Sequence, residues 1–252
     1  MIVSSIQLGL HALSLATWRL PFDASAHGPA IDRHLLLNLW TILGLAALAH
    51  LILIVGLMAH RRPEATSWRV EYLLLTALVI LFTFLTIRAE RLWAAARYTG
   101  AEPTALQVQV TGEQFAWYFR YPGTDATFGV TKPQLVDAGA GNPLGIDPAD
   151  PHGTDDLVTS ELVLPANRQV DLRINSLDVI HGFSIPEMRL KQNAVPGMTI
   201  HVHFTPKIPG TYAILCTQVC GLGHYRMNAN LRILPPDQFT AWLAAKQKAV
   251  QR

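Results

Sequence analysis

The chain is poor in several things that would direct it elsewhere. Only two of its 252 residues are cysteines, Cys216 and Cys220, four positions apart. A secreted disulfide framework normally needs more of them, and no Cys-x-x-Cys-His is present to attach a c-type haem. Charged residues make up 15% of the chain and the net charge is +2, with no long basic run. The charge pattern therefore gives no sign of nucleic-acid binding. No lysine or arginine precedes Arg19, so the first 20 residues lack the charged start of a signal peptide, although Ala24-Ser25-Ala26 has the small-residue form of a cleavage site. No internal repeat is evident.

Apolar residues, by contrast, make up half the chain, and they are unevenly distributed. Residues 35–59 form an apolar run in which Asn38 and His50 are the only strongly polar residues, and residues 72–87 form a second run without a charge, which Val70 and Glu71 extend. A bilayer-spanning helix needs about 20 apolar residues. Two buried helices of a soluble bundle are the alternative, but neither run alternates faces as a half-exposed helix would. Between the runs lies a short polar loop, residues 60–69, with Arg61, Arg62 and Arg69. The positive-inside rule places it in the cytoplasm and both termini on the other side, with Trp68 and Trp93 near the interfaces. His50 is expected to hydrogen-bond a neighbouring helix as a neutral imidazole.

From about Glu102 the character of the sequence changes. Residues 106–110 alternate apolar and polar, as in a half-buried strand, and residues 115–121 are aromatic and β-prone. A long Gly-, Pro- and Asp-rich stretch, residues 122–156, reads as an irregular surface loop. Short strand candidates follow at 157–164, 169–175, 182–185, 198–204, 210–214 and 229–234, separated by turn residues such as Val195-Pro196-Gly197. This spacing predicts an all-β sandwich or barrel. A short helix closes the chain. The expected organisation is an external segment 1–34, a transmembrane helix hairpin 35–96, a β domain 102–235 and a C-terminal helix or tail 236–252.

Cys216, Cys220, His224 and Met227 fall within twelve residues, and His181 lies upstream after a strand candidate. A distant histidine with a Cys, His and Met on one loop is the ligand set of a mononuclear copper site on a small β-sandwich. Cys216 is superfluous to such a site. Two thiolates four residues apart can instead bridge two metal ions, each completed by one histidine and one weaker ligand, Met227 or a backbone carbonyl of the loop. A Cys216–Cys220 disulfide would leave His224 and Met227 without a role. Zinc would accept two Cys and two His but has little use for Met227. Met188 and Met198 read as packing residues, and His201 and His203 as surface-facing.

The loop Cys-x-x-x-Cys-x-x-x-His-x-x-Met resembles the binuclear copper (CuA) motif of cytochrome c oxidase subunit II. The segment Asp178-Val179-Ile180-His181-Gly182-Phe183-Ser184-Ile185-Pro186, the segment Leu190-Lys191-Gln192-Asn193-Ala194-Val195-Pro196-Gly197 and the aromatic stretch from Gly112 to Tyr121 are similar to further family signatures. The segment from Ala24 to Asp32 resembles the external segment before the first helix in many bacterial members, which favours its retention. The resemblance implies a two-helix transmembrane hairpin followed by an all-β cupredoxin-type Greek-key sandwich. It implies that Cys216 and Cys220 bridge two coppers, that His181 and Met227 complete one, and that His224 and the Gln218 carbonyl complete the other. Trp117, Phe115 and Tyr121 would lie near the path by which electrons arrive, and Asp178 would help hold the docking surface. Implied partners are the haem-bearing subunit I, other oxidase subunits, cytochrome c as donor, and membrane lipid, with no nucleic acid. The implied location is a bacterial inner membrane, with the copper domain on the periplasmic side.

Three departures stand out. Gln218 replaces a glutamate that binds magnesium at the border with subunit I, and an amide is a poorer ligand for a hard cation. Asn193 replaces an aspartate near the same border. Phe115 replaces a tryptophan credited with receiving electrons, so that role passes to Trp117 or the donor docks differently. The function implied is delivery of electrons from cytochrome c to subunit I for reduction of oxygen to water with proton translocation. The rival reading is the copper subunit of a nitric oxide reductase of the same superfamily. A membrane-anchored copper chaperone would place its histidine far downstream of the cysteines. Nitrous oxide reductase needs a much larger chain, and a quinol oxidase subunit lacks the copper ligands.

Overall fold

The structure is a computed structural model and describes residues 20–59 and 68–250. The readings made for the first 19 residues and for the arginine-bearing loop at 60–67 lie outside the described residues.

Helix α1 runs over Gly28–Met58 and helix α2 over Trp68–Arg97. Leucine- and alanine-rich composition favours both helices, and Pro29 in the first turn of α1 removes an amide that would otherwise be unsatisfied. At 31 and 30 residues each is about 45 Å long. The most apolar window of each has no residue buried inside the protein. Trp40 is 68% exposed and Phe82 is 72% exposed. A continuous apolar surface of this size is covered by lipid or a partner, not by water. Helix α1 starts seven residues before the apolar run because its polar first turns dock on the β domain. His50 bonds within its own helix, Nδ1 to Ala46 O at 2.7 Å, and among the described residues it makes no bond to a neighbouring helix. An intrahelical carbonyl four residues back is always within reach, whereas a neighbouring helix must be brought there by packing.

The β domain holds ten strands: β1 Leu106–Glu113, β2 Ala116–Tyr121, β3 Leu157–Thr159, β4 Leu162–Pro165, β5 Val170–Ser176, β6 His181–Ile185, β7 Leu190–Ala194, β8 Ile200–Phe204, β9 Gly210–Cys216 and β10 Asn228–Leu234. They form two five-stranded sheets in the orders β3-β2-β1-β5-β8 and β4-β10-β9-β6-β7. Most neighbours are antiparallel, while β1–β5 and β10–β4 run parallel. The predicted strand at 157–164 is two strands, one in each sheet, with a break at Ser160-Glu161. Alternate side chains of the inner faces interlock: Val108, Val110, Phe119, Leu172, Phe183, Ile185, Ile214 and Leu231 are fully buried. Each such side chain contributes about 1.5–3 kcal/mol of burial. Helix α3, Pro236–Val250, closes one end with Phe239 buried and Trp242 packed edge-on against Tyr121, ring centroids 5.5 Å apart.

The stretch 122–156 is irregular, as its composition predicts, yet well tied. Arg120 and Asp156, both buried, form an ion pair beneath it, and Arg120 also donates to the Gly129 carbonyl at 2.7 Å. Met188 is fully buried, but Met198 is 55% exposed and so is not a packing residue.

The domain is also tied to the segment that leads into α1 and to both helices. Ala24 and Ser25 are buried against it; Ala24 N donates to Glu187 O at 2.9 Å, and Ala26 N to Thr205 O at 3.0 Å. Asp32 on α1 takes a two-pronged ion pair from Arg189, at 2.7 and 2.8 Å. On α2, Arg97 donates to Lys191 O at 3.0 Å, and His203 lies 3.2 Å from the Ala95 carbonyl. His201 is surface-facing and pairs with Asp171, whereas His203 faces the helix.

Candidate metal centre

The site forms at the end of the sandwich where β9 runs out at Cys216 and the chain returns at β10. The intervening loop folds on itself: Cys216 N donates to Met227 O, His224 N to Gly221 O, and Met227 N to His224 O, at 3.1–3.2 Å. Strand β6 is hydrogen-bonded beside β9, which sets Phe183 opposite Cys216 and brings His181, at the head of β6, to the loop. Thr217 N donates to Gly182 O at 2.8 Å. A side chain at residue 182 would lie 2.6–2.9 Å from Thr217 and Gln218, so the close approach requires glycine there.

The soft ligands converge. Cys216 Sγ and Cys220 Sγ are 3.9 Å apart. That is well beyond a disulfide bond of about 2.05 Å, and both are free thiols. At a metal–thiolate bond length of about 2.3 Å, one ion can touch both sulfurs. Cys220 Sγ lies 3.6 Å from His224 Nδ1 and 3.7 Å from Met227 Sδ. The Cys216 thiol points to the Gln218 carbonyl at 3.2 Å. A ring nitrogen of His181 and both sulfurs lie within 4.8 Å of one another. His181 has no exposed side-chain surface, its Nε2 bonds Asp178 Oδ1 at 2.8 Å, and its Nδ1 is buried without a partner. Buried polar atoms in native proteins are nearly always satisfied. An unpartnered imidazole nitrogen beside two thiols and a thioether is the donor set that a soft metal ion completes.

Burial, helped by the neighbouring Cys216, pushes the Cys220 thiol up to about 11. A bound cation reverses that preference, because the thiolate is the ligand form. Burial acts to raise the Asp178 carboxyl, but hydrogen bonds from His181, Val179 N and Gln114 N outweigh it and hold the group below the usual range.

The other residues singled out in the sequence separate into two groups. Trp117 is buried, with its ring centroid 5.8 Å from that of His181 and 5.2 Å from that of Phe183. Phe115, at the β1–β2 turn, is 38% exposed and lies over Gly221 and Gly223 of the loop. Tyr121 is buried at the opposite end of β2, where its hydroxyl donates to Val163 O at 2.9 Å and accepts from Val163 N at 2.7 Å. Asp178, expected at the docking surface, is exposed, and both of its carboxylate oxygens take hydrogen bonds from neighbouring groups of the chain. The Gln218 side chain is exposed. Sequence reading missed Gln114, whose amide donates to Cys220 O at 2.5 Å. It also missed Gly112, where a side chain would lie 2.9 Å from the His181 ring. Neither residue type signals its role without the fold.

Two exposed apolar helices carrying a two-sheet sandwich, with Cys, His and Met side chains gathered at one end, define a membrane-anchored metal-site protein of cupredoxin type. A family model described as cytochrome C oxidase subunit II, periplasmic domain, matches residues 106–233. The chain belongs to the cytochrome c oxidase subunit II family. It is 34% identical over 180 residues to the alternative cytochrome c oxidase subunit 2 of Bradyrhizobium diazoefficiens, covering 71% of this chain and 59% of that one. It is 31% identical over 144 residues to cytochrome c oxidase subunit 2 of a Synechocystis species, covering 57% and 34%. The chain thus spans less than two thirds of the length of these relatives. A solved structure, the periplasmic domain of subunit II of cytochrome oxidase of Bradyrhizobium japonicum, aligns over 60% of this chain and 99% of that one, at 23% identity and a TM-score of 0.44.

Proposed function

We propose that this chain is the electron-receiving subunit of a membrane-bound terminal oxidase. It takes electrons from cytochrome c and delivers them to a haem-bearing subunit I, where oxygen is reduced to water with proton translocation. One observation carries this reading: Cys216, Cys220, His224, Met227, the Gln218 carbonyl and the unpartnered His181 converge on one loop. We assign them to a cysteine-bridged pair of copper ions, with His181 and Met227 on one and His224 and the Gln218 carbonyl on the other. Two coppers held in this way supply reversible one-electron chemistry.

The residues' own contributions follow from their surroundings. The loop's internal hydrogen bonds and its ties to Gly182 and Gln114 hold the ligands in place, so little reorganisation accompanies a change of charge. Trp117 packs edge-on against His181, and Phe183 packs in turn on Trp117; all three are buried away from water. Of the β1–β2 aromatics, Phe115 is the one that reaches the surface beside the loop, and we assign it the donor contact, with Trp117 behind it. Gln218, neutral and exposed, makes a weak magnesium ligand. The domain lies on the outer, periplasmic side of a bacterial inner membrane, with both helices spanning it. The division at residues 34, 96, 102 and 235 follows the same reading, with the polar first turns of α1 docked on the domain.

The test is metal analysis of the full chain co-purified with its large subunit. Two coppers assignable to this chain are expected in the wild type, and no more than one in Cys216→Ser or Cys220→Ser, with cytochrome c oxidation abolished while subunit I keeps its haem. A single copper, or zinc alone, in the wild type would overturn the assignment. Nitric oxide consumption in place of oxygen would move the complex to the rival reaction.

A further inference from the structure

A cavity of about 230 Å³ lies where α1, α2 and the β domain meet, far from the metal loop. Its walls are mostly apolar, among them Leu35 of α1 and Ala89, Leu92 and Trp93 of α2. His34, Arg97 and His27 supply polar groups. Arg97 forms no ion pair among the described residues. Its NH2 donates to the Lys191 carbonyl at 3.0 Å and its guanidinium stacks on Trp93 at 5.1 Å, but its NH1 is buried with no partner. His34 Nδ1, in the same cavity, is also buried without a partner. The other guanidinium nearby, Arg189, is already matched by Asp32. Burial holds His27 below the usual histidine range despite nearby Asp23, so it offers a hydrogen bond and not a charge. The cavity therefore holds one unmatched positive charge and three imidazoles, of which His203 is already bonded to the Ala95 carbonyl and His34 has an unpartnered nitrogen, beside an apolar wall. A half-buried charge without a counter-charge is poorly compensated, and an anion reached by the guanidinium and by the imidazole supplies what both lack.

The depth of the cavity points to the source of the anion. His34 sits one residue outside the apolar run of α1, and Leu35 is its first member. On α2, Ala89, Leu92 and Trp93 lead down from Arg97 to the apolar run. A molecule with its charge at Arg97 and its tail along these side chains spans the boundary between headgroups and hydrocarbon. We propose that this cavity binds one anionic phospholipid, with its phosphate on Arg97 and His34 and an acyl chain against Leu92, Trp93 and Leu35. The proposal rests on the membrane placement of the helices and is independent of the electron relay.

Trp93 lines the cavity and reports its occupant. The full chain is placed in nanodiscs of phosphatidylcholine containing a minor fraction of either brominated phosphatidylglycerol or brominated phosphatidylcholine. Quenching of Trp93 is taken as the difference between wild type and Trp93→Phe. The phosphatidylglycerol probe is expected to quench Trp93 at about tenfold lower mole fraction than the phosphatidylcholine probe, as one charge-assisted contact implies. Arg97→Gln should remove that preference and Arg97→Lys should keep part of it, with circular dichroism of all variants unchanged. Equal quenching by the two lipids, or a preference that survives Arg97→Gln, would overturn the proposal. So would loss of the preference in the assembled oxidase, which would mean that a partner carboxylate fills the cavity.

Discussion

His181 Nε2 lies 2.8 Å from the Asp178 carboxylate, and this bond selects the form of the ring. An ionised carboxylate only accepts, so Nε2 carries the proton and Nδ1, buried and unpartnered, keeps a free lone pair. The partner of a ligating histidine typically contributes about 10–100-fold in metal affinity. Asp178→Ala in the full chain should lose copper affinity by about that factor, read by competition with a chelator, and Asp178→Asn should lose less. Unchanged affinity in Asp178→Ala would show that surrounding side chains alone orient the ring.

Phe115 lies against the loop glycines. A side chain at Gly223 would sit 2.4 Å from the Phe115 ring, and even the ring's base at 2.6 Å leaves it no room. Gly223→Ala should cost about 1–3 kcal/mol by overpacking, seen as a lower urea midpoint. In a Phe115→Ala background the same change should cost little. An equal cost in both backgrounds would place the strain elsewhere in the loop.

Arg120 and Asp156 are both buried, and Gly129 N also donates to Asp156 at 3.0 Å. Removing one partner leaves the other charge stranded, at a cost of about 3–5 kcal/mol. Arg120→Met should therefore lower stability in urea by that amount, while Arg120→Met combined with Asp156→Leu should recover much of it. A double variant as unstable as the single one would show that the pair's other hydrogen bonds to the 122–156 stretch dominate.

That stretch also carries a pH-dependent tie. His152 Nδ1 lies 2.5 Å from Asp125; the contact raises the histidine and lowers the carboxyl. The raised histidine contributes fully below its unfolded value of about 6.5 and loses that contribution as pH rises through its folded value. The lowered aspartate contributes above about 3.9 and loses its share as pH falls through its folded value. The tie is complete between about pH 4 and 6.5. Amide exchange of residues 122–156, corrected for intrinsic rates, should be slower near the top of that window than at about pH 9. Asp125→Asn should erase the difference. A difference that persists in Asp125→Asn would assign the effect to another group.

Much of the architecture was legible because it rests on local pattern. Two long apolar runs read as helices, and alternation at 106–110, aromatic content at 115–121 and turn residues between short segments elsewhere marked most of the ten strands. Strand β7 was not recognised as a strand, because Leu-Lys-Gln-Asn-Ala shows no clear alternation; its pairing with β6 makes it one. The division of 157–164 between two sheets was equally invisible, because both halves are apolar and only their partners differ.

Sequence alone determined the chemistry of the loop: two thiols, an imidazole and a thioether within twelve residues cannot be far apart once the chain turns back. Tertiary structure decided what local spacing cannot. The pairing of β6 with β9 carries His181 across 35 residues to the thiols. The β1–β2 turn sets Phe115 at the surface and Trp117 behind it. The docking of both helices on the domain leaves the Arg97 guanidinium half unpaired. Contacts between residues distant in the chain depend on which strands and helices pair, and that choice is made by the whole core, not by any one segment.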